Sequence, residues 1–536
     1  MTFTLAQSFV PLLAAAGAFA SCMSFAQERL TILHTNDHHG HFWRSDHGEY
    51  GLAARKTAID AIRSELAAQG GQLLLLDAGD VNTGVPESDL QAAEPDFRGM
   101  SALGYNAMAV GNHEFDRSLS ILRRQREEWS SFPWLSANVY RRGVRMFEPY
   151  RIFQLGKLKV AVLGLTSEDT SKMLIEERFP EVKFAPAAAE AAKLMPELRQ
   201  RADIVIGLTH LGHYADGKSG SNAAGDVELA RAVSGFDAIV GGHSHTPVCM
   251  LEQNRRNEAY RPLDACMPDQ QNGAWIMQAS DWGKFLGRAD FEVVGGKLKL
   301  QHYTLIPINL RSAGPASAGT NQNLPVFAED SDVLTLLTPF KMRGDAGLSA
   351  VVGKADGRFE GDRSIVRFKP TSLGKLLVTA IQQKARADIA LINSGAIRDS
   401  LPSGPLTFRN LLRVQPFGNR LVTVTMTGAE LEKYVADALQ ITPGSGGYPQ
   451  YTGFEMRSVD GGQALFVKGR RVDRSARYKL AVNSFTAKGG DGYPDLSGRS
   501  DYIDTGLLDV EVLREFVADR GLLRVADFEP STNAGN

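Results

Sequence analysis

The chain carries HTNDHHGH at residues 34–41, four of its eleven histidines within eight positions, with Asn36 and Asp37 among them. Imidazole nitrogens and carboxylate oxygens are the donors that divalent ions of hard-to-borderline character take. Four more stretches close on the same residue types: Gly79-Asp80, Gly111-Asn112-His113-Glu114, Thr209-His210 and Gly242-His243-Ser244-His245. Pooled, they form an oxygen-and-nitrogen ligand set without thiolate, suited to a pair of divalent ions. A carboxylate has two oxygens and can bridge two ions, and Asp80, arriving alone, is the candidate bridge. Each stretch by itself also has a plain structural reading: Gly-Asp as a turn, GNHE as a turn with a helix cap, THLGH as a satisfied polar pair. The recurrence of metal-competent residues in five tails is what argues for a shared site.

These tails all follow apolar runs. LTILHTND, QLLLLDAGD, NAMAVGNHE, KVAVLGLTS, DIVIGLTHLG and DAIVGGHSH are Leu-rich or β-branched and end in polar, Gly-containing residues. Helical stretches such as AARKTAIDAIRSELAAQ and AAAEAAKLMPELRQRA lie between them. The pattern predicts an α/β layered domain from Arg29 to about Tyr303, with its ligands at strand ends. On an extended strand end, residues i and i+2 point the same way. Asp37 and His39 are therefore expected to share an ion while His38 points elsewhere, and the same rule pairs His243 with His245. His34 falls inside its strand, and His38 and His41 are expected to support the site rather than bind metal. RSAGPASAGTNQNLP (311–325) reads as a surface spacer and DVLTLLTPFKMRG as a helix linking two domains. From about Leu348 the pattern restarts as a second α+β domain. It has no cluster of metal-type residues, but it holds arginines and aromatics in Gly-rich turns. Taken singly, Arg363, Arg367 and Arg398 read as solvated surface, and Phe417 and Phe485 as core.

MTFTLAQSFVPLLAAAGAFASCMSFA has no charge before Glu28, an apolar centre and a small-x-small ending, Ser24-Phe25-Ala26. It reads as a secretory signal peptide over residues 1–26. It lacks Lys or Arg in its first residues, which leaves the true start codon open. Lipid attachment through Cys22 is the alternative. No later stretch looks transmembrane. The net charge of −2 gives no basic field for long nucleic acid or an anionic membrane. Export would permit a disulfide between Cys249 and Cys266, which flank a polar, irregular loop; two separate thiols are the other reading.

The order D-x-H, GD, GNHE, TH, GGHSH resembles the signature of calcineurin-like dimetal phosphoesterases. HTNDHHGHFW, GDVNTGVPESD, GNHEFD, GGHSH, VQPFGN and GGDGYP together resemble the secreted 5′-nucleotidase family. VNTGVPESD, PDQQNGAW and the Cys249/Cys266 pair look closest to its periplasmic branch of bifunctional UDP-sugar hydrolase/5′-nucleotidases. The resemblance implies a four-layer αββα metallophosphoesterase domain over 27–330, a linker helix or hinge over 331–350, and a C-terminal α/β nucleotide-binding domain over 351–536. It implies two divalent ions (Zn, Mn or Co), one held by Asp37, His39, Asp80 and His245, the other by Asp80, Asn112, His210 and His243. His113 and Asp116 would form the catalytic dyad. Arg363, Arg367 and Arg398 would contact the nucleotide, Phe417 and Phe485 would sandwich its base, and Asn419 and Asp491 would contact base and ribose. Members of the branch can carry Gln where this chain has His245, which leaves metal preference open. The implied activity is periplasmic, monomeric hydrolysis of nucleoside 5′-monophosphates and UDP-sugars for salvage. The competing activities are hydrolysis of 2′,3′-cyclic nucleotides, thiosulfate-ester hydrolysis, and nucleotide binding or adhesion without catalysis.

Overall fold

The structure is a computed structural model that describes residue 2 and residues 28–174, 179–219, 222–311, 324–346, 348–459 and 462–530. The expected signal peptide, Cys22 and most of the 311–325 spacer lie outside the described residues.

The apolar runs become strands that bury both faces, as continuous rather than alternating hydrophobic patterns require. In Arg29–Thr35, Leu30 and Ile32 face one side and Leu33 the other. Leu74 and Leu76 oppose Leu75 in Gln72–Asp77, and Val160 and Val162 oppose Ala161 and Leu163 in Leu158–Thr166. The first set of faces meets in a core between two six-stranded sheets. Leu33 and Leu75 pack under the helices Leu52–Gln69 and Glu94–Leu103. Ala161 and Leu163 pack under Ala187–Arg201 and Asp226–Ala232. The layers are therefore helix, sheet, sheet, helix, and the expected αββα domain is present.

Strand direction decides where the tails meet. Arg29–Thr35, Gln72–Asp77, Ala107–Ala109 and Trp134–Leu135 run parallel in one sheet. Leu158–Thr166, Ile204–His210, Ala238–Val240 and Ala274–Met277 run parallel in the other. Parallel strands deliver their C-terminal ends to one edge, so the residues of all five tails converge there.

The second domain wraps a five-stranded sheet, in the order Pro449–Thr452, Ile389–Asn393, Arg477–Asn483, Arg420–Thr427, Ile503–Leu508. Helices Ser372–Ala385 and Asp509–Arg520 share one core with it, and Gly428–Leu439 shares the other.

The helix Ser331–Asp345 is packed onto the first domain rather than standing free between the two. Val333, Leu337 and Phe340 form one apolar stripe, and such a stripe must be covered. Its C-terminal end meets the second domain through ions. Lys341 donates to Glu87 (2.8 Å) and Asp345 (2.9 Å), and Arg409 of the helix Phe408–Val414 reaches Glu87 (3.1 Å) and Asp345 (2.6 Å). Cys249 and Cys266 are joined in a disulfide, with Cα atoms 4.7 Å apart. No helix among the described residues is long and apolar enough to cross a membrane.

Candidate metal and phosphoester site

The tails turn instead of running on as extended chain. The first strand stops at Thr35, and Asp37 (φ 51°) and His39 (φ 49°) both adopt left-handed backbone. Asp80 (φ 60°), His243 (φ 79°) and His245 (φ 59°) do the same. The tails therefore depart from the i, i+2 geometry expected of a pleated strand. His38 does point away, to Asp96 (3.0 Å), but a chain of turns puts it there. The rule fails for its second pair. His243 places Nδ1 2.8 Å from Asn112 Oδ1, whereas His245 places Nε2 3.2 Å from Asp37 Oδ1, so the two join different clusters. A side chain held at positive φ costs on the order of 1–3 kcal/mol and persists only where neighbours impose it. Here Asp37 N–H donates to Gly79 O (2.9 Å), His39 N–H to Asp80 O (3.0 Å), and His243 N–H to the Asp37 carboxylate (2.9 Å). Gly111 is required by space, since a Cβ would collide with the Asp80 carboxylate.

Three overlapping groups gather here, each with donor atoms within 4.8 Å of one another: Asp37 with His39 and His245, His39 with Asp80 and His113, and Asp80 with His210 and His243. The chemistry of the donors shows whether a cation fits. His39 Nδ1 donates to Thr83 O (2.8 Å) and His210 Nδ1 to Ala78 O (2.7 Å), so in the neutral rings both Nε2 lone pairs face inward. His39 Nε2 lies 3.0 Å from His245 Nε2. His210 Nε2 lies 3.0 Å from Asp80 Oδ2 and 3.2 Å from Asn112 Oδ1. Converging lone pairs of buried nitrogen and oxygen are what a divalent ion stabilises, and the residues fit one. The local field is strongly negative. Burial opposes charge on His210, but Asp80 and Asp37 outweigh it and push the imidazole up to about 10. His243 is driven down to about 3 by burial and by His210.

His113 follows in a short 3-10 turn, His113–Phe115. Its backbone N–H donates to Asp80 Oδ1 (2.8 Å), and its Nδ1 bonds Asp116 Oδ2 (2.6 Å), which also accepts from Thr83 Oγ1 (2.6 Å). Burial opposes protonation of His113, yet the Asp116 and Asp80 charges raise it above its ordinary value. Two residues escape the sequence reading. Glu114 accepts from the backbone N–H of Asp80 (3.0 Å), Val81 (2.9 Å) and Gly111 (2.7 Å), tying two tails together. Its signal lay inside GNHE, read there as a helix cap. Asp281 contacts His245, and AWIMQASDWG is a seventh apolar run ending in polar, Gly-containing residues.

A cleft of about 960 Å³ has His39, His243 and His245 on one wall and Arg363, Arg367 and Arg398 on the other. All three guanidinium groups are held below the ordinary arginine value, first by desolvation and then by neighbouring arginines or, for Arg363, against the pull of Asp37. Among the described residues none of the three has a salt-bridge partner. Phe417 stacks on His113, with centroids 5.7 Å apart and planes 15° apart, and Arg398 stands 5.5 Å from its centroid. Phe485 lies over Gly490, whose position leaves no room for a Cβ, and has no ring partner among the described residues. Asp491 accepts from Asn393 Nδ2 (2.7 Å). The Asn419 carbonyl accepts the Asp509 N–H (2.8 Å). The geometry thus brings the metal-type residues, the His113–Asp116 pair, Phe417 and the arginines together.

Residues 30–247 match the family model of calcineurin-like phosphoesterases, and residues 351–498 match that of the 5′-nucleotidase C-terminal domain. The chain is 48% identical over 533 residues to Protein UshA of Yersinia enterocolitica, covering 97% of each chain. It is 46% identical to a 5′-nucleotidase of Vibrio vulnificus, over 94% of this chain and 92% of that one. The crystal structure of a 5′-nucleotidase precursor from Thermus thermophilus superposes with a TM-score of 0.75 at 28% identity, covering 92% and 97% of the two chains. Both domains match in order and nearly the full length is shared, so the chain belongs to the 5′-nucleotidase family, and its strand-end cluster is a candidate divalent-metal site, as the metallophosphoesterase match implies.

Proposed function

We propose that the chain hydrolyses nucleoside 5′-monophosphates and UDP-sugars with two divalent ions, in the periplasm, as a salvage enzyme. One arrangement carries the reading: two donor clusters sharing Asp80 face Arg363, Arg367 and Arg398 across one cleft. Asp37, His39, Asp80 and His245 would hold one ion, and Asp80, Asn112, His210 and His243 the other. Zn, Mn and Co all suit this donor set. When bound, such ions supply Lewis acidity to phosphoryl oxygens and acidify water.

The side chains do the rest. Asp116 keeps the Nδ1 proton of His113 in place and supports the charged ring. His113 then offers Nε2–H to the charge that develops on the transferring phosphoryl group. Arg363, Arg367 and Arg398 neutralise the anionic substrate, with guanidinium forks suited to phosphate. Phe417 and Phe485 give the base two π-faces, which tolerate different bases. Asp491 and Asn419 would contact ribose and base. A site shared by two domains must open to release product, and the pivot would follow the helix Ser331–Asp345.

The test is product release from AMP, UDP-glucose and 2′,3′-cyclic AMP, with and without chelator. AMP and UDP-glucose should be cleaved, and chelator should abolish both. Cleavage of the cyclic substrate alone would establish the phosphodiesterase/3′-nucleotidase alternative. Activity untouched by chelator would contradict the metal mechanism.

A further inference from the structure

Asp281 is a buried carboxylate that the proposed chemistry does not use. It sits in a turn that follows the strand Ala274–Met277. Ser280 (φ 63°), Trp282 (φ 58°) and Gly283 (φ 70°) are all left-handed, so two strained residues flank it and a glycine, which takes that conformation freely, follows. The strain is held from the metal side. Ala279 N–H donates to Asn36 Oδ1 (2.8 Å), Asn36 Nδ2 donates to Ser280 O, and Trp282 N–H donates to Asp37 O (2.7 Å). The Arg55 guanidinium fills the space where a Cβ on Gly283 would stand. The Trp282 ring stacks on His41 (4.6 Å), and the Lys284 ammonium lies 3.9 Å from the Trp282 centroid. The segment is therefore stapled to the strand-end turn that bears Asp37.

The outcome is a defined contact. Asp281 Oδ2 lies 3.4 Å from His245 Nδ1, and Asp281 Oδ1 accepts from Lys284 Nζ (2.9 Å). The opposite nitrogen of His245, Nε2, faces His39 Nε2 (3.0 Å) and Asp37 Oδ1 (3.2 Å). A neutral imidazole has one ring proton, and the nitrogen without it is the ligand. A carboxylate at Nδ1 keeps the proton there and leaves the Nε2 lone pair for the cluster. His39 and His210 have Nδ1 set by backbone carbonyls, whereas His245 has a charged side chain in that role.

We propose that Asp281, steadied by Lys284, is a positioning residue that orients His245 and strengthens ion binding on the Asp37–His39–His245 side alone. The inference rests on the two-ion reading above. Metal-free full-length protein should be titrated with Co(II), following absorption and heat to resolve two binding steps. Asp281→Asn should weaken one step by roughly 10–100-fold, the usual cost of losing such a partner, and leave the other within about twofold. Repeated in a His245→Gln background, Asp281→Asn should change nothing further, because Gln has no tautomer to set. Two unchanged steps in Asp281→Asn would overturn the proposal. So would a weakening that persists in the His245→Gln background, which would mark a structural role. If Asp281→Asn does not fold, Lys284→Met serves: a smaller shift of the same step supports the inference, and no shift overturns it. A wild-type chain that takes only one ion would overturn the two-ion reading first, and this inference with it.

Discussion

The two walls of the cleft are built in opposite ways. On the metal wall almost every polar group is already committed to protein: His39 and His210 to carbonyls, Asp37 and Asp80 to backbone N–H groups, Glu114 to four backbone amides. On the opposite wall Arg363, Arg367 and Arg398 crowd together without a carboxylate partner among the described residues. Arg363 lies on a four-residue helix, Arg363–Val366, and Arg367 at its end. The first wall is preorganised, with its strain absorbed by hydrogen bonds. The second gathers positive charge with carboxylates near it but none among the described residues in direct ion-pair contact. Under the proposed function the first wall would carry the chemistry and the second the recognition of an anionic substrate.

Substitutions should divide along that line. Asp80→Asn removes charge from the shared ligand. It should deplete both ions by elemental analysis and lower kcat by several kcal/mol of lost charge stabilisation, about 10³-fold. His113→Ala should lower kcat by about 10²–10³-fold while metal content stays unchanged, since its backbone contact to Asp80 survives. Arg398→Ala tests the other wall: KM for AMP should rise by roughly 10–100-fold, with less change in kcat, as expected for a lost charged hydrogen bond. Phe417→Ala should weaken nucleotide binding by about 1–3 kcal/mol, measured with a nonhydrolysable AMP analogue. If Arg398→Ala instead lowers kcat alone, the division between the walls fails.

The smallest effect concerns stability. Burial pushes Asp509 up to about 7 from its ordinary 3.8, against the hydrogen bond from Val510 N–H that lowers it. The folded state thus binds this proton more tightly than the unfolded chain. Its stabilising contribution is complete below pH 3.8 and is lost as pH rises through 7. Asp509→Asn should flatten that share of the fall in Tm between about pH 4 and 8, and an unchanged slope would contradict the assignment.

The ligand set is legible in sequence because each ligand ends an apolar run, and parallel strands bring their ends to one edge. The split between His243 and His245 is not, because it depends on left-handed turns that spacing alone does not specify. Pleat geometry assumes extended backbone, and the tails abandon it at Thr35. The helix Ser331–Asp345 is legible as a helix, but its stripe of Val333, Leu337 and Phe340 decides that it belongs to the first domain. Phe417 and Phe485 look like core in isolation. The roles proposed for them rest on the family resemblance, and the stack of Phe417 on His113 is visible only in the fold.

The central claim is that hydrolysis depends on two divalent ions sharing Asp80. Metal-free wild-type protein should be prepared with chelator and titrated with Zn, Mn or Co while AMP hydrolysis is followed. The account predicts no activity without metal and full recovery at two equivalents per chain. Hydrolysis without metal, or saturation at one equivalent, would contradict it.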